Sequence, residues 1–142
     1  MIRNKIKKIL VPLDGSKNSI RGLDEAIYLA RQCRSIITGL YVIPMGSPPK
    51  RTPVSPIDKY FLKQASKFLE QAKTRAAQNG IMFKHEIIYG DKGSKIVNYA
   101  KNNHFDIIVI GARGQSAIKD IFLGSTSNYV LHKSPIPIMI VK

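Results

Sequence analysis

The chain has 142 residues, 44% of them hydrophobic, and 23 Lys+Arg against 9 Asp+Glu give a formal charge of +14. A chain of this length typically buries roughly 70% of its unfolded surface as one domain, which excludes a disordered tail and a disulfide-stapled mini-protein. Cys33 is the one cysteine, so no intramolecular disulfide forms and no second thiol stands near His85, His104 or His132 to make a zinc spacing. A reducing, cytoplasmic setting fits that usage.

The basic start (Arg3, Lys5, Lys7, Lys8) imitates the head of a secretory signal, but the apolar run from Ile9 ends at Asp14, too short for one. Lys8 to Leu13 instead predicts a buried strand. Ser16 caps a helix whose apolar stripe is Ile20, Leu23, Ile27 and Ala30, with Cys33 on its last turn. Ile36 to Ile43 predicts a second strand. Residues 44–56 hold Pro44, Pro48, Pro49, Pro53 and Pro56, which predicts an exposed loop within a single 1–142 domain.

Ser55-Pro56-Ile57-Asp58 is a helix start: Ser as cap, Pro in the first turn, an acid at the positive end of the dipole. Its spacing turns Ile57, Phe61, Ala65, Phe68, Ala72 and Ala76 inward, and Asn79-Gly80 ends it. Phe83 to Tyr89 predicts a third strand, and Asp91 opens a helix carrying Ile96, Val97 and Ala100. Asp106 to Ile110 is a fourth strand. Ser125-Thr126-Ser127 opens a fourth helix with Val130 and Leu131 facing the sheet, and Pro137 to Val141 closes as a fifth strand. No stretch approaches the ~18–20 apolar residues of a membrane span.

This alternation implies an open parallel α/β sheet, Rossmann-like, with right-handed crossovers and helices on both faces. Ligands of such sheets bind at the carboxyl ends of the strands. Two segments leave strand ends there with unusual composition: Leu13-Asp14-Gly15-Ser16, and Gly111-Ala112-Arg113-Gly114, which runs on to Gly124-Ser125-Thr126-Ser127 at a helix start. Glycines admit a phosphate close to backbone N–H groups, a helix N-terminus adds a positive dipole, and Arg113 and Lys119 add countercharge. Turn glycines with an N-capping serine account for the same composition. With glycine near 7% of residues, three at fixed offsets arise in roughly a few per cent of chains this long, so spacing alone leaves both readings open.

The run Gly111-x2-Gly114-x9-Gly124-Ser125 resembles the G-2x-G-9x-G-(S/T) signature of ATP-binding members of the universal stress protein family. Similarity extends over the whole chain: Ile9 to Ser16 at the start, the strand ending at Val42, Gly90-Asp91, Asp106 to Gly111, and Pro135 to Ile138. The resemblance implies a five-stranded sheet of order 3-2-1-4-5, with Asp14 and Gly111 in one crevice. It implies adenine at Val42, with Pro12 and Ile110 lining that end. Gly111, Arg113 and Gly114 would follow the ribose and phosphates, and Gly124, Ser125, Thr126 and Ser127 would hold the phosphate chain of ATP, ADP or AMP. Like charges repel, so Asp14 would meet ribose hydroxyls or help hold a Mg²⁺ or Mn²⁺ that screens the phosphates. Capping the first helix beside Ser16 is the other use for Asp14.

The resemblance also implies a homodimer paired through the C-terminal strand, although burial within the monomer explains that strand's apolarity equally well. The function expected is a nucleotide-binding stress-response module acting on an unidentified protein partner. Catalysis is not its expected business, since the Walker run, the dinucleotide fingerprint and the Ser-Gly-Gly-x-Asp-Ser signature are all absent; a slow ATPase on the same fold is the alternative. The charge is spread over both halves, 13 basic against 5 acidic residues in 1–71 and 10 against 4 in 72–142. It is read either as a solvated basic surface or as a face for nucleic acid or another polyanion, without a nucleic-acid motif to support the second.

Overall fold

A computed structural model describes residues 4–44, 55–114 and 123–142. Most of the proline-rich segment, with Lys50 and Arg51, and the stretch holding Lys119 lie outside the described residues. Among the described residues nine elements alternate: β1 (Lys8–Pro12), α1 (Lys17–Cys33), β2 (Ile36–Ile43), α2 (Pro56–Gln78), β3 (Phe83–Tyr89), α3 (Lys92–Asn102), β4 (Ile107–Gly111), α4 (Ser125–Lys133) and β5 (Ile138–Val141). The five strands form one parallel sheet of order β3-β2-β1-β4-β5. The order implied by the resemblance is therefore the order observed.

Strand side chains alternate between two cores, as a sheet covered on both faces requires. Ile9, Val11, Ile37, Ile107 and Val109 face α1 and α2, where Leu23, Ala26, Ala30, Leu69, Ala72 and Ala76 are buried. Leu10, Leu40, Val42, Ile108 and Ile110 face α3 and α4, against Ile96, Val97, Ala100 and Val130. The start of β1 is tied to that of β4 by the Asp106 carboxylate, which accepts the N–H groups of Lys7 and Lys8 at 2.8 and 2.9 Å.

The helices begin where their caps predict. Ser16 accepts the Ser19 N–H, Ser55 that of Asp58, and Asp91 that of Ser94. Strand ends differ by one residue from the sequence reading: β1 stops at Pro12, β4 starts at Ile107 and β5 at Ile138. Three inward assignments are corrected. Ile57 and Phe61 are exposed, at 63% and 37%, because the first turns of α2 run past the sheet, and α2's buried face includes Leu69 instead. Leu131 is exposed because α4 is short and sets only Ser127 and Val130 against the body. Among the described residues no helix is long and apolar enough to cross a membrane.

Candidate functional site

Between β1 and β4 the chain order reverses, and there a cavity of about 350 Å³ opens at the carboxyl ends of the strands. Its floor is apolar, built from Pro12 of β1, Leu40 and Val42 of β2, Ile96 of α3 and Ile110 of β4. Its rim is polar: Asp14 and Ser19 on one side, and Gly111, Arg113, Gly114, Gly124, Ser125, Thr126 and Ser127 on the other. The eleven residues named from the sequence (Pro12, Asp14, Val42, Ile110, Gly111, Arg113, Gly114, Gly124, Ser125, Thr126, Ser127) all line this one space.

The rim is held in shape by its own hydrogen bonds. The Ala112 carbonyl accepts both the Gly124 N–H and the Ser127 hydroxyl, each at 2.7 Å, which closes the start of α4 onto the end of β4. Ser127 is buried, and its hydroxyl serves that closure. Gly124 is the N-cap of α4 and brings no side-chain cap bond, so the first turn's N–H groups are left without the usual Ser or Asp oxygen. Asp14 holds its own turn, its Oδ1 accepting the Ser16 N–H at 2.9 Å.

The three motif glycines answer to different demands. At Gly111 a Cβ would stand 2.7 Å from Asn18 Oδ1 and 2.8 Å from the Asn18 carbonyl oxygen. At Gly114 it would stand 2.6 Å from Asp14 Oδ2. At Gly111 backbone atoms of Asn18 close the position, whereas at Gly114 the Asp14 carboxylate would have to move. Gly124 has an ordinary φ of −67°, and a Cβ there meets its nearest atoms at 3.5 Å, a normal contact.

Electrostatically the site is mixed. Arg113 and Lys92 bring positive charge and Asp14 negative charge to the lining. Burial raises the pKa of Tyr41, and Asp14 and then Tyr60 push it further up. Asp14 is the one carboxylate among the described lining residues, and no cluster of three metal-ligating side chains occurs among the described residues. A divalent cation here would depend on phosphate oxygens and water for most of its ligands.

Sequence reasoning missed Ser19, Leu40, Lys92 and Ile96 in the lining. It also missed Asn18, whose Oδ1 accepts the Arg113 N–H at 2.6 Å. Leu40 and Val42 share one face of β2, so strand alternation could have found Leu40. Ile96 has the spacing of a core residue, and nothing in that spacing separates a core position from a cavity wall.

A doubly wound α/β domain with a ligand-sized crevice at its switch point is thus the class of protein defined by fold and site. The model of the universal stress protein family matches residues 5–142, and this chain belongs to that family. Universal stress protein YxiE of Bacillus subtilis (strain 168) is 32% identical over 145 residues, spanning 95% of this chain and 98% of its own. Among solved structures, universal stress protein UspA from Lactobacillus plantarum superposes with a TM-score of 0.84 at 28% identity, covering 99% of this chain and 100% of that one. A universal stress protein in complex with cAMP gives a TM-score of 0.79 at 24% identity, covering 98% and 99%; at that identity the likeness is one of fold.

Proposed function

We propose that this chain is an adenine-nucleotide-binding universal stress protein of the ATP-binding kind, a homodimeric module whose occupancy alters a surface read by a protein partner. The observation that carries the reading is the cavity's two-sided chemistry. An apolar floor suits a purine, while glycines, serines and Arg113 on the rim suit phosphate. Gly124 adds weight. Among the described residues neither backbone conformation nor packing asks for glycine there, whereas an anion seated on the first turn of α4 would ask for it.

In this reading Val42 and Pro12 meet adenine, Asp14 meets the ribose or a phosphate-bound Mg²⁺ or Mn²⁺, and Arg113 with residues 124–127 holds phosphate. The fold-mate solved with cAMP is consistent with an adenine ligand. The proposed dimer pairs β5, whose four residues are all half-buried at the sheet edge.

The test is direct. Protein purified without added nucleotide is denatured, and released small molecules are identified by liquid chromatography and mass spectrometry. Stoichiometric ATP, ADP or AMP supports the reading and names the ligand. An empty release, followed by no calorimetric heat with ATP and Mg²⁺ or with AMP, removes it.

A further inference from the structure

The α3 wall of the cavity holds a lysine that the motif does not contain. Lys92 opens α3 and lines the cavity together with Ile96, one turn further along the same helix face. Its neighbour Asp91 has a different duty, its carboxylate accepting the Ser94 N–H at 3.1 Å as the helix cap. Lys95 folds back over Gly90, where a Cβ would lie 2.7 Å from its Cε. Lys92 is therefore the α3 side chain that brings charge to the site.

Its place in the lining sets that charge where an anion entering the cavity meets it. Lys92 is half-buried, and its wall continues into the buried Ile96, with Leu40 and Val42 on the same floor. Asp14, the carboxylate of the described lining, already accepts the Ser16 N–H. The two cations stand on different elements, Lys92 on α3 and Arg113 on the loop after β4. One phosphoryl group is served by Arg113 and the α4 end; two cations on separate walls suit an anion whose charge extends further.

We infer that Lys92 is a specificity-determining residue that favours adenine nucleotides bearing a second phosphoryl group over monophosphates. The inference rests on the adenine-nucleotide reading above. The longer anion gains an ammonium–phosphate hydrogen bond that a monophosphate does not, and such charge-assisted bonds are the strong ones.

Calorimetric titration of adenosine, AMP and ADP into the wild-type protein, Lys92→Met and Lys92→Arg tests it. Methionine keeps the length of the side chain without its charge. Lys92→Met is expected to weaken ADP roughly tenfold or more and AMP less than about threefold, with adenosine unchanged and Lys92→Arg close to wild type for ADP. Equal losses for AMP and ADP, or no loss, overturn the assignment. The wild-type ratio of ADP to AMP affinity is a second check that needs no variant, and a ratio near one overturns it too. If none of adenosine, AMP and ADP binds the wild-type protein, the nucleotide reading itself has failed, a pattern distinct from a lost preference among ligands that do bind.

Discussion

Asn18 reaches across 95 positions of sequence to Arg113, its Oδ1 accepting the Arg113 N–H at 2.6 Å. Its Nδ2 donates to the Val141 carbonyl at 3.3 Å, so one side chain in the first turn of α1 fixes both the end of β5 and the loop that enters the cavity. Gly111 makes room for it, since a Cβ there would collide with Asn18. Asn18→Ala should lower unfolding free energy by about 1–2 kcal/mol, the usual cost of leaving partly buried partners unpaired. In the proposed site it should weaken ATP more than adenosine, because the loop it steadies carries Arg113. Denaturant unfolding and calorimetry check the two halves separately.

Gly114 and Asp14 form a second such pair. A methyl group at residue 114 would stand 2.6 Å from Asp14 Oδ2. The carboxylate would have to swing, straining the 2.9 Å bond by which Oδ1 holds the Ser16 N–H. Gly114→Ala should therefore cost about 1–3 kcal/mol, as overpacking does. Because the clash is with that one side chain, Gly114→Ala combined with Asp14→Ala should cost less than the two single changes added together. A double-mutant cycle with no coupling would refute this account of Gly114.

The succession of strands and helices along the chain was legible because each strand's apolar run and each helix's cap are local signals, whereas the order of strands in the sheet came from the family resemblance. Ser16, Ser55 and Asp91 cap α1, α2 and α3 as read. What escaped was extent. Helical spacing puts Ile57 and Phe61 on the same face as Ala65, but it does not say how far the sheet reaches beneath. The 23 residues of α2 span roughly 34 Å at 1.5 Å each, longer than the 8-residue β2, so the first turns overhang. In the site, the motif named residues of the loops, while Asn18 and Lys92 come from helix first turns that only the fold brings to the crevice.

Alkaline pH gives a test of the α1/α2 core. Tyr41 packs edge-on against Phe68 with ring centroids 6.5 Å apart, and burial, then Asp14 and Tyr60, raise its pKa. Tyr99 is raised as well, by burial and then Glu86. An unfolded tyrosine ionises near pH 10, while the folded one keeps its proton to higher pH. The unfolded state then binds fewer protons, so stability contributed by these groups is full below about pH 10 and is lost as pH climbs through the folded value. Tyr41→Phe should flatten that decline. Urea unfolding of both proteins at a series of pH values from neutral to strongly alkaline checks it; parallel declines would assign the loss to other groups.

Gly124 offers the sharpest separation of stability from binding. As N-cap of α4 it supplies no side-chain oxygen, and a Cβ there meets Ala112 O and Arg113 Cα at 3.5 Å without strain. Serine is a better or equal cap residue. Gly124→Ser should therefore leave the unfolding free energy unchanged or raise it slightly, by no more than about 1 kcal/mol. The same hydroxymethyl group stands on the rim beside Ser125 and Gly114, where the proposed phosphate approaches. Nucleotide affinity should fall by roughly tenfold while adenosine affinity holds, on the scale of one charge-assisted hydrogen bond. If instead Gly124→Ser destabilises the fold and leaves ATP binding intact, the glycine serves the helix start, and the phosphate must sit elsewhere.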